Sequence, residues 1–507
     1  MFVLEVSALR VHVDLMTTGD AIGLEVDVAV IGAGTAGLAA YRAAARTTDR
    51  VVLVEAGQHG TTCARVGCMP SKLLIAAGEA AHHARHAAPF GVHAEVRVDG
   101  AEVMARVRRE RDRFVGFVLD GVDQIPSEHK LHGRARFVAP GELLVDRGPS
   151  LPSVRVTARS VVIATGSSAF VPPVFEPIRD RLVLNDDVFM WDALPRSVAV
   201  FGGGVVGLEL GQALVRLGVR VHVFGKSGTV GPLTDPVVLA SALAAFREEM
   251  PFHPDATVHL LRRTPDGVEV TYEDEGARLI ETFEYALVAA GRRPNLAGIG
   301  LENSGVRLDA RGAPIHDRTT MQCDGSAVFV AGDANDDVPV LHEAADEGRI
   351  AGENAARFPE VAKGPRRSLL AITFTEPQIA IAGATLASLS DAAAQSPARE
   401  VVTGEIRFAD QGRSRVMLQN RGIGHVYADA VTGRFLGAEL VGPRVEHLGH
   451  LLAWAHQQEL TIEQMLAMPF YHPVVEEGLR TALRDAASKT RPAGTVPETP
   501  NDPRRET

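Results

Sequence analysis

Cys63 and Cys68 stand in the run Gly60-Thr61-Thr62-Cys63-Ala64-Arg65-Val66-Gly67-Cys68-Met69-Pro70-Ser71-Lys72, with four residues between the two thiols. Two sulfurs that close so small a loop make a disulfide more easily reduced than a structural one, which is what an electron relay requires. Two other readings stay open at this point. Distant histidines would complete the roughly four ligands that a zinc site takes, or the pair is simply buried and apolar. A cysteine-only metal site is excluded, because Cys323 is the one further cysteine in the chain. The redox reading is favoured, with no metal site expected. If Ser71 and Lys72 fall early in a helix, its positive end and the Lys72 ammonium both favour a thiolate on Cys68.

An electron relay needs a carrier, and the residues ahead of the cysteines are suited to hold one. In Gly32-Ala33-Gly34-Thr35-Ala36-Gly37, after the apolar run 26–31, the first glycine permits a tight turn and the second lets backbone approach a pyrophosphate. The third lets helix pack on strand. Glu55 ends the next apolar run, where a carboxylate binds ribose hydroxyls, so an adenine dinucleotide is predicted here. The same design recurs with the run 198–201, then Gly202, Gly204 and Gly207, then the run 219–224. Both copies read as βαβ units. Glu55 lies 23 residues beyond Gly32, and the same offset from Gly202 falls on Gly225, with Lys226 beside it. The missing acid and adjacent cation lean toward NADP over NAD.

The remaining chain frames these motifs. At 507 residues it predicts roughly three or four domains. With 46% hydrophobic and 23% charged residues it is an ordinary globular α/β protein, and a net charge of −11 argues against nucleic acid as a partner. Three cysteines in such a length fit a reducing compartment, read as the cytoplasm. The start carries Glu5, Arg10 and Asp14 and is no signal peptide, and the longest apolar run, 28–41, is too short to span a membrane. Stretches 171–177 and 357–367 read as domain connections, and 489–507 as a disordered tail. Between 367 and 487, strands are predicted at 371–374, 401–408 and 424–428, then helices at 445–458 and 475–487. That pattern suits a separate α+β domain of the kind that forms a dimer interface. His82, His83 and His86 read as a solvated helix face, and Cys323 as structural.

The run Cys63-x-x-x-x-Cys68-x-Pro70-Ser71-Lys72 resembles the redox motif of the class I pyridine nucleotide-disulfide oxidoreductases. Further matches follow in family order: Ala164-Thr165-Gly166, Ala290-Gly291-Arg292-Arg293-Pro294-Asn295, Phe329-Val330-Ala331-Gly332-Asp333, Phe374-Thr375-Glu376-Pro377, and His472-Pro473 with Glu477. The resemblance covers nearly the whole chain, from residue 26 to about 487, and its pattern is that of the dihydrolipoamide dehydrogenases. It implies an α/β fold with two Rossmann-like domains, for FAD and NAD(P), plus a C-terminal α+β dimerisation domain. The implied divisions are an extension at 1–24, an FAD domain at 25–168 resuming as a central part at 292–366, an inserted NAD(P) domain at 169–291, and a dimerisation domain at 367–488.

Carried over by residue, the resemblance makes Cys63 the thiol that exchanges with substrate and Cys68 the charge-transfer thiol beside the flavin. Lys72 and Glu209 pair near the reactive edge of the ring. Gly32, Gly34, Gly37 and Glu55 hold the adenosine half of FAD, with Thr165, Gly166 and Asp333 along the rest. Gly202, Gly204, Gly207, Lys226 and Gly291 serve NAD or NADP. Thiol exchange also needs a proton acceptor that works near neutral pH. His472, oriented by Glu477, is that group, contributed by the partner subunit of an obligate homodimer. The substrate is a small dithiol or disulfide, with a lipoyl-bearing protein as its macromolecular form.

Departures from the family temper the choice of substrate. Thr61, Ala64 and Arg65 replace the usual Gly, Leu and Asn, and Arg65 sets a charge between the thiols. Two alternatives are carried: an NADPH-dependent reductase of another low-molecular-weight disulfide or a quinone, and a catalytically idle flavoprotein acting as a binding subunit.

Overall fold

The computed structural model describes residues 11–12, 22–395 and 400–491. Most of the extension before Glu25, and the expected tail beyond Arg491, lie outside the described residues. By internal contacts the chain forms two compact units: the residues up to 195 with 287–366, and 196–286 with the residues from 367 on.

In the first unit the run 26–31 lies in the strand Ile22–Ile31, flanked by the parallel strands Val51–Glu55 and Val154–Ile163. Lys130–His132 extends the parallel sheet beyond Val51–Glu55, and Val328–Val330 runs parallel beside Val161, Val162 and Ile163. Glu142–Asp146 and Arg134–Ala139 complete it in antiparallel sense. Strands buried on both faces read as unbroken apolar runs. Here Val28 and Val30 pack on one face with Leu38, Ala40 and Ile350, while Ala29 and Ile31 join Val52, Val54, Val161 and Ile163 on the other. Each such fully buried side chain contributes about 1.5–3 kcal/mol.

The Leu341–Arg357 helix returns across this sheet to lie on Thr35–Ala44. A Cβ on Gly348 would stand 2.2 Å from the Ala36 carbonyl oxygen, and one on Gly352 would stand 2.2 Å from that of Ala40. Glycines four apart thus let the two backbones touch along one stripe, joining segments distant in sequence.

In the second unit, Ser197–Phe201, Arg220–Phe224 and Phe252–His253 form a parallel sheet, followed by an antiparallel meander of Thr257–Thr264, Gly267–Asp274 and Ala277–Phe283. The C-terminal part is a five-stranded antiparallel sheet ordered Leu370–Thr373, Gln378–Gly383, Phe435–Gly442, Ile423–Asp429, Val401–Arg407. The helices Val445–Gln457 and Glu477–Lys489 pack on it. Three of these strands and both helices match the expected segments within two residues. Gln378–Gly383 and Phe435–Gly442 do not stand out in the sequence.

Buried polar networks join the two parts of this unit. The fully buried Glu439 accepts hydrogen bonds from the backbone of Thr234 (2.6 Å), Asp235 (3.1 Å) and Leu386 (2.8 Å). His425 lies between Asp235 (2.6 Å) and Glu405 (3.2 Å). Carboxylates so enclosed are stable only because every lone pair finds a donor.

Candidate redox and dinucleotide sites

The segment holding the thiols follows the strand Val51–Glu55 and turns through Gly60, at φ +120°, and Thr61, at φ +57°. Positive φ is costly for a β-branched residue, on the order of 1 kcal/mol or more. The Thr61 hydroxyl offsets part of this by accepting from the Ala64 N–H at 3.3 Å, capping the short Thr62–Val66 helix that carries Cys63. Gly67 then reverses the chain. A Cβ there would lie 3.0 Å from the Thr62 carbonyl oxygen and 3.2 Å from Cys63 Cα, so a residue without a side chain is what lets the loop close.

Cys68 is the first residue of an 18-residue helix, Cys68–Arg85. Pro70 in its first turn removes only an N–H that has no intrahelical acceptor. Ser71 fastens that turn, its N–H donating to Gly67 O (3.2 Å) and its hydroxyl to Cys68 O (3.1 Å). The helix end therefore favours negative charge at Cys68 itself. Both cysteines are thiols in the structure. The hydrogen bond with Cys68 and burial push the Cys63 pKa up, and the Lys72 ammonium opposes the rise. Replacing Cys68 with Ala removes the main cause of the rise, so the pH profile of Cys63 alkylation by iodoacetamide is expected to move to lower pH. An unmoved profile would mean that burial dominates.

Arg65 follows Cys63 in the short helix and directs its charge back along the loop. Its stem lies over Gly60 and its guanidinium donates to Gln58 O at 3.3 Å. A supporting layer without sequence signal lies behind the loop. Asn185 donates to Val66 O (3.5 Å) and to Asp186 (2.6 Å). Burial raises the Asp186 pKa, while Arg292 and Arg65 act against it.

The first glycine turn has a distinct steric reason at each position. Gly32 has φ +106°, and a Cβ there would meet the Ala164 carbonyl oxygen at 2.3 Å. A Cβ on Gly37 would lie 1.8 Å from Gly32 O, so helix and strand meet only because it is absent. At Gly34 a Cβ would meet nothing within 4 Å, although the backbone is ordinary extended chain (φ −76°, ψ −170°). Packing does not require that glycine, and the open space beside it fits a pyrophosphate approaching the backbone. Glu55 points into the same turn, accepting from the N–H of Ala33 and of Gly57, both at 2.7 Å. Thr165 Oγ1 is buried without a hydrogen-bond partner, and Gly166, at φ +67°, has open space at its Cβ position. These features fit FAD.

Asp333 accepts from the Ser167 hydroxyl (2.6 Å), which in turn accepts from Arg292 Nε (2.8 Å). The turn carrying Asp333 is held from behind by the buried Glu347, which accepts from Gly332 N–H and Asn335 Nδ2, both at 2.8 Å, and pairs with Arg366 at 2.9 Å. Neither Ser167 nor Glu347 was legible in the sequence.

The second glycine turn repeats the first. Gly202 has φ +132°, a Cβ on Gly207 would lie 1.9 Å from Gly202 O, and Gly204 again has nothing within 4 Å. At Gly225 a Cβ would press on Pro254 O at 2.8 Å, which explains why no acid stands there. Lys226 is exposed, and Gly291, at φ +104°, has open space at its Cβ position. The turn at Gly202, Gly204 and Gly207 fits a nicotinamide dinucleotide with no carboxylate at the ribose position, while Gly291 belongs to the first unit.

Lys72 belongs to the first unit, and Glu209, His472 and Glu477 belong to the second. Glu209 is buried and accepts from the Phe374 N–H at 2.9 Å. His472 Nδ1 meets both oxygens of Glu477 at 3.0 Å with its ring well exposed, and that contact lowers the Glu477 pKa. The five-residue spacing works because Glu477 opens the Glu477–Lys489 helix just after a turn. His82 and His86 stack at 4.1 Å on the Cys68–Arg85 helix. Among the described residues, no group of three or more His, Cys, Asp or Glu side chains is placed to hold a metal. Cys323 is buried, and burial pushes its pKa up to about 12. Among the described residues, no helix is long and apolar enough to cross a membrane.

The family profile "Pyridine nucleotide-disulphide oxidoreductase" matches residues 26–348, and the profile for the dimerisation domain of the same family matches 370–483. The dihydrolipoyl dehydrogenase of Halobacterium salinarum is 32% identical over 484 residues, covering 93% of this chain and 98% of that protein. That of Bacillus subtilis is 28% identical, covering 91% and 96%. Among solved structures, LpdA from Mycobacterium tuberculosis superposes with a TM-score of 0.76 at 26% identity, covering 90% of this chain and 99% of that one. The HOCl-induced flavoprotein disulfide reductase RclA from Escherichia coli gives 0.74 at 21%, covering 92% and 100%, a likeness of fold.

Proposed function

Because the chain belongs to the pyridine nucleotide-disulphide oxidoreductases, we propose that it is a dihydrolipoamide dehydrogenase-like enzyme working through Cys63 and Cys68. It is an FAD-dependent disulfide oxidoreductase using NAD(P). The observation that supports the finer reading is the thiol pair itself, hydrogen-bonded at the start of a long helix that follows the βαβ unit whose glycine turn leaves open space at Gly34.

FAD, when bound, supplies a two-electron carrier between the thiols and the nicotinamide ring. Gly32, Gly34, Gly37 and Glu55 hold its adenosine half, with Thr165, Gly166 and Asp333 along the remainder. Gly202, Gly204, Gly207, Lys226 and Gly291 hold the nicotinamide dinucleotide. With Cys63 and Cys68 joined as a disulfide, a substrate thiolate attacks the Cys63 sulfur and Cys68 leaves as a thiolate. The second substrate thiolate then attacks the mixed disulfide, which releases the cyclic disulfide product and Cys63. His472 takes the proton of the first substrate thiol and passes it to solvent, then takes that of the second and returns it to Cys63 as that thiolate leaves, while Glu477 orients the ring and stabilises its cation. Lys72, in the first unit, and Glu209, in the second, are the charged residues that the family resemblance assigns to the flavin site. His472 and Glu477 serve the partner subunit's thiols, so the working form is a homodimer. Three cysteines in 507 residues suit a reducing, cytoplasmic setting.

Anaerobic titration of the purified yellow protein with dihydrolipoamide, NADH and NADPH tests this. A long-wavelength thiolate-to-flavin band is expected with dihydrolipoamide, and its absence would overturn the reading. A second reading, an NADPH-driven reductase of another disulfide or a quinone, is favoured by Gly225 and Lys226. If it holds, NADPH outperforms NADH in kcat/KM, and Lys226→Glu reverses the order by about tenfold, the worth of one ion pair near the surface. Equal rates in both proteins would exclude a role for Lys226.

A further inference from the structure

Glu209, Gln212 and Arg216 lie three and four residues apart on the Val205–Arg216 helix, and all three are buried. Such spacing puts them on one face, a turn apart. Each turn grips the segment just before Pro377. Glu209 accepts from the Phe374 N–H at 2.9 Å. Gln212 uses both ends of its amide on the backbone of Glu376, accepting from its N–H at 2.8 Å and donating to its carbonyl at 2.7 Å. Arg216 donates to the Glu376 carboxylate at 2.8 Å and to Glu249 at 2.8 and 2.9 Å. From the other side, Gln419 donates to the remaining Glu376 oxygen at 2.7 Å.

The pattern is asymmetric. Gln212 holds the backbone of Glu376 and Arg216 ties the Glu376 carboxylate to Glu249, and the Phe374 N–H two residues upstream is thereby brought to Glu209. A backbone N–H fixed on a buried carboxylate holds its rotamer. We propose that Gln212 and Arg216 are positioning residues: they set the register of the 374–376 segment along the helix and so aim the Glu209 carboxylate. This rests on the reading of Glu209 as a residue of the flavin site.

Gln212→Met keeps the volume, removes both hydrogen bonds and leaves no charge unpaired. In holoenzyme and apoprotein alike, hydrogen exchange at the Phe374 and Glu376 amides is expected to rise at least about tenfold. Stopped-flow reduction by NAD(P)H is expected to slow about tenfold, while reduction of the thiol pair by dithiothreitol stays within about twofold. Glu209→Gln should slow the same nicotinamide step, and adding Gln212→Met to it should cost nothing more, as residues acting through one another are not additive. Faster exchange with an unchanged nicotinamide step, an equal fall in both half-reactions, or full additivity would overturn the proposal. Should Gln212→Met fail to retain flavin, Arg216→Lys, which keeps the charge, replaces it under the same expectations. If Glu209→Gln itself leaves the nicotinamide step unchanged, the reading of Glu209 falls instead, whatever the exchange rates show.

Discussion

Cys63→Ser and Cys68→Ser will each lower dithiol turnover by at least about 10³-fold, because a hydroxyl can neither form the disulfide nor leave from it. The two variants will differ in colour. With Cys63 replaced, Cys68 keeps its sulfur at the first position of an 18-residue helix, with Lys72 one turn further on. That environment favours the thiolate without any reductant, so the purified Cys63→Ser protein should show the long-wavelength band before dithiol is added. With Cys68 replaced, the remaining thiol is Cys63, whose pKa is raised partly by burial. It should stay neutral near pH 7 and give no band. Spectra of the two variants across pH 5 to 10 decide the matter. A band in Cys68→Ser alone would exchange the roles of the two sulfurs, and undiminished turnover in either would remove the thiol pair from the mechanism.

What could be read from the residues alone was governed by sterics that act over short stretches. The glycine turns announce themselves because Gly32 and Gly37 answer to backbone clashes within a few residues or across one sheet. The helix after Cys68 entered the sequence reading only as a condition on Ser71 and Lys72, and Cys68 proves to be its first residue. Features that depend on distant partners left no such mark. Phe435–Gly442 carries two glycines and a fully buried glutamate, which reads poorly as a strand until Thr234, some 200 residues earlier, satisfies Glu439. Glu347 looked like one more helix carboxylate, yet it holds Gly332 and Asn335 beneath Asp333. Arg65 shows the opposite case. Its charge was legible, but its direction was not, because the bare surface of Gly60 lets the stem fold back to Gln58. Thr61 departs from the family's glycine while keeping a positive φ, and its own hydroxyl cap makes that tolerable.

Gly34→Val is expected to abolish flavin retention while leaving the apoprotein folded. A Cβ at Gly34 would touch nothing within 4 Å, and its φ and ψ of −76° and −170° suit a β-branched residue. The substitution should therefore change the stability of the apoprotein by under about 1 kcal/mol, with reduced freedom of the unfolded chain acting in its favour. The added methyls would instead occupy the approach of a pyrophosphate to the backbone, weakening FAD binding by at least about 100-fold. Gly37→Ala makes the contrast. Its Cβ would stand 1.8 Å from Gly32 O, so the Thr35–Ala44 helix must move off the sheet and the apoprotein itself should melt earlier. Thermal melts of both apoproteins, with FAD titrated by quenching of its fluorescence, separate a glycine kept for packing from one kept for a ligand. A Gly34→Val protein that purifies fully yellow would show that the open space is not where the cofactor lies. Gly204→Val applies the test to the nicotinamide site, where flavin content should hold and only reduction by NAD(P)H should fail, while Gly207→Ala, whose Cβ would stand 1.9 Å from Gly202 O, should melt earlier.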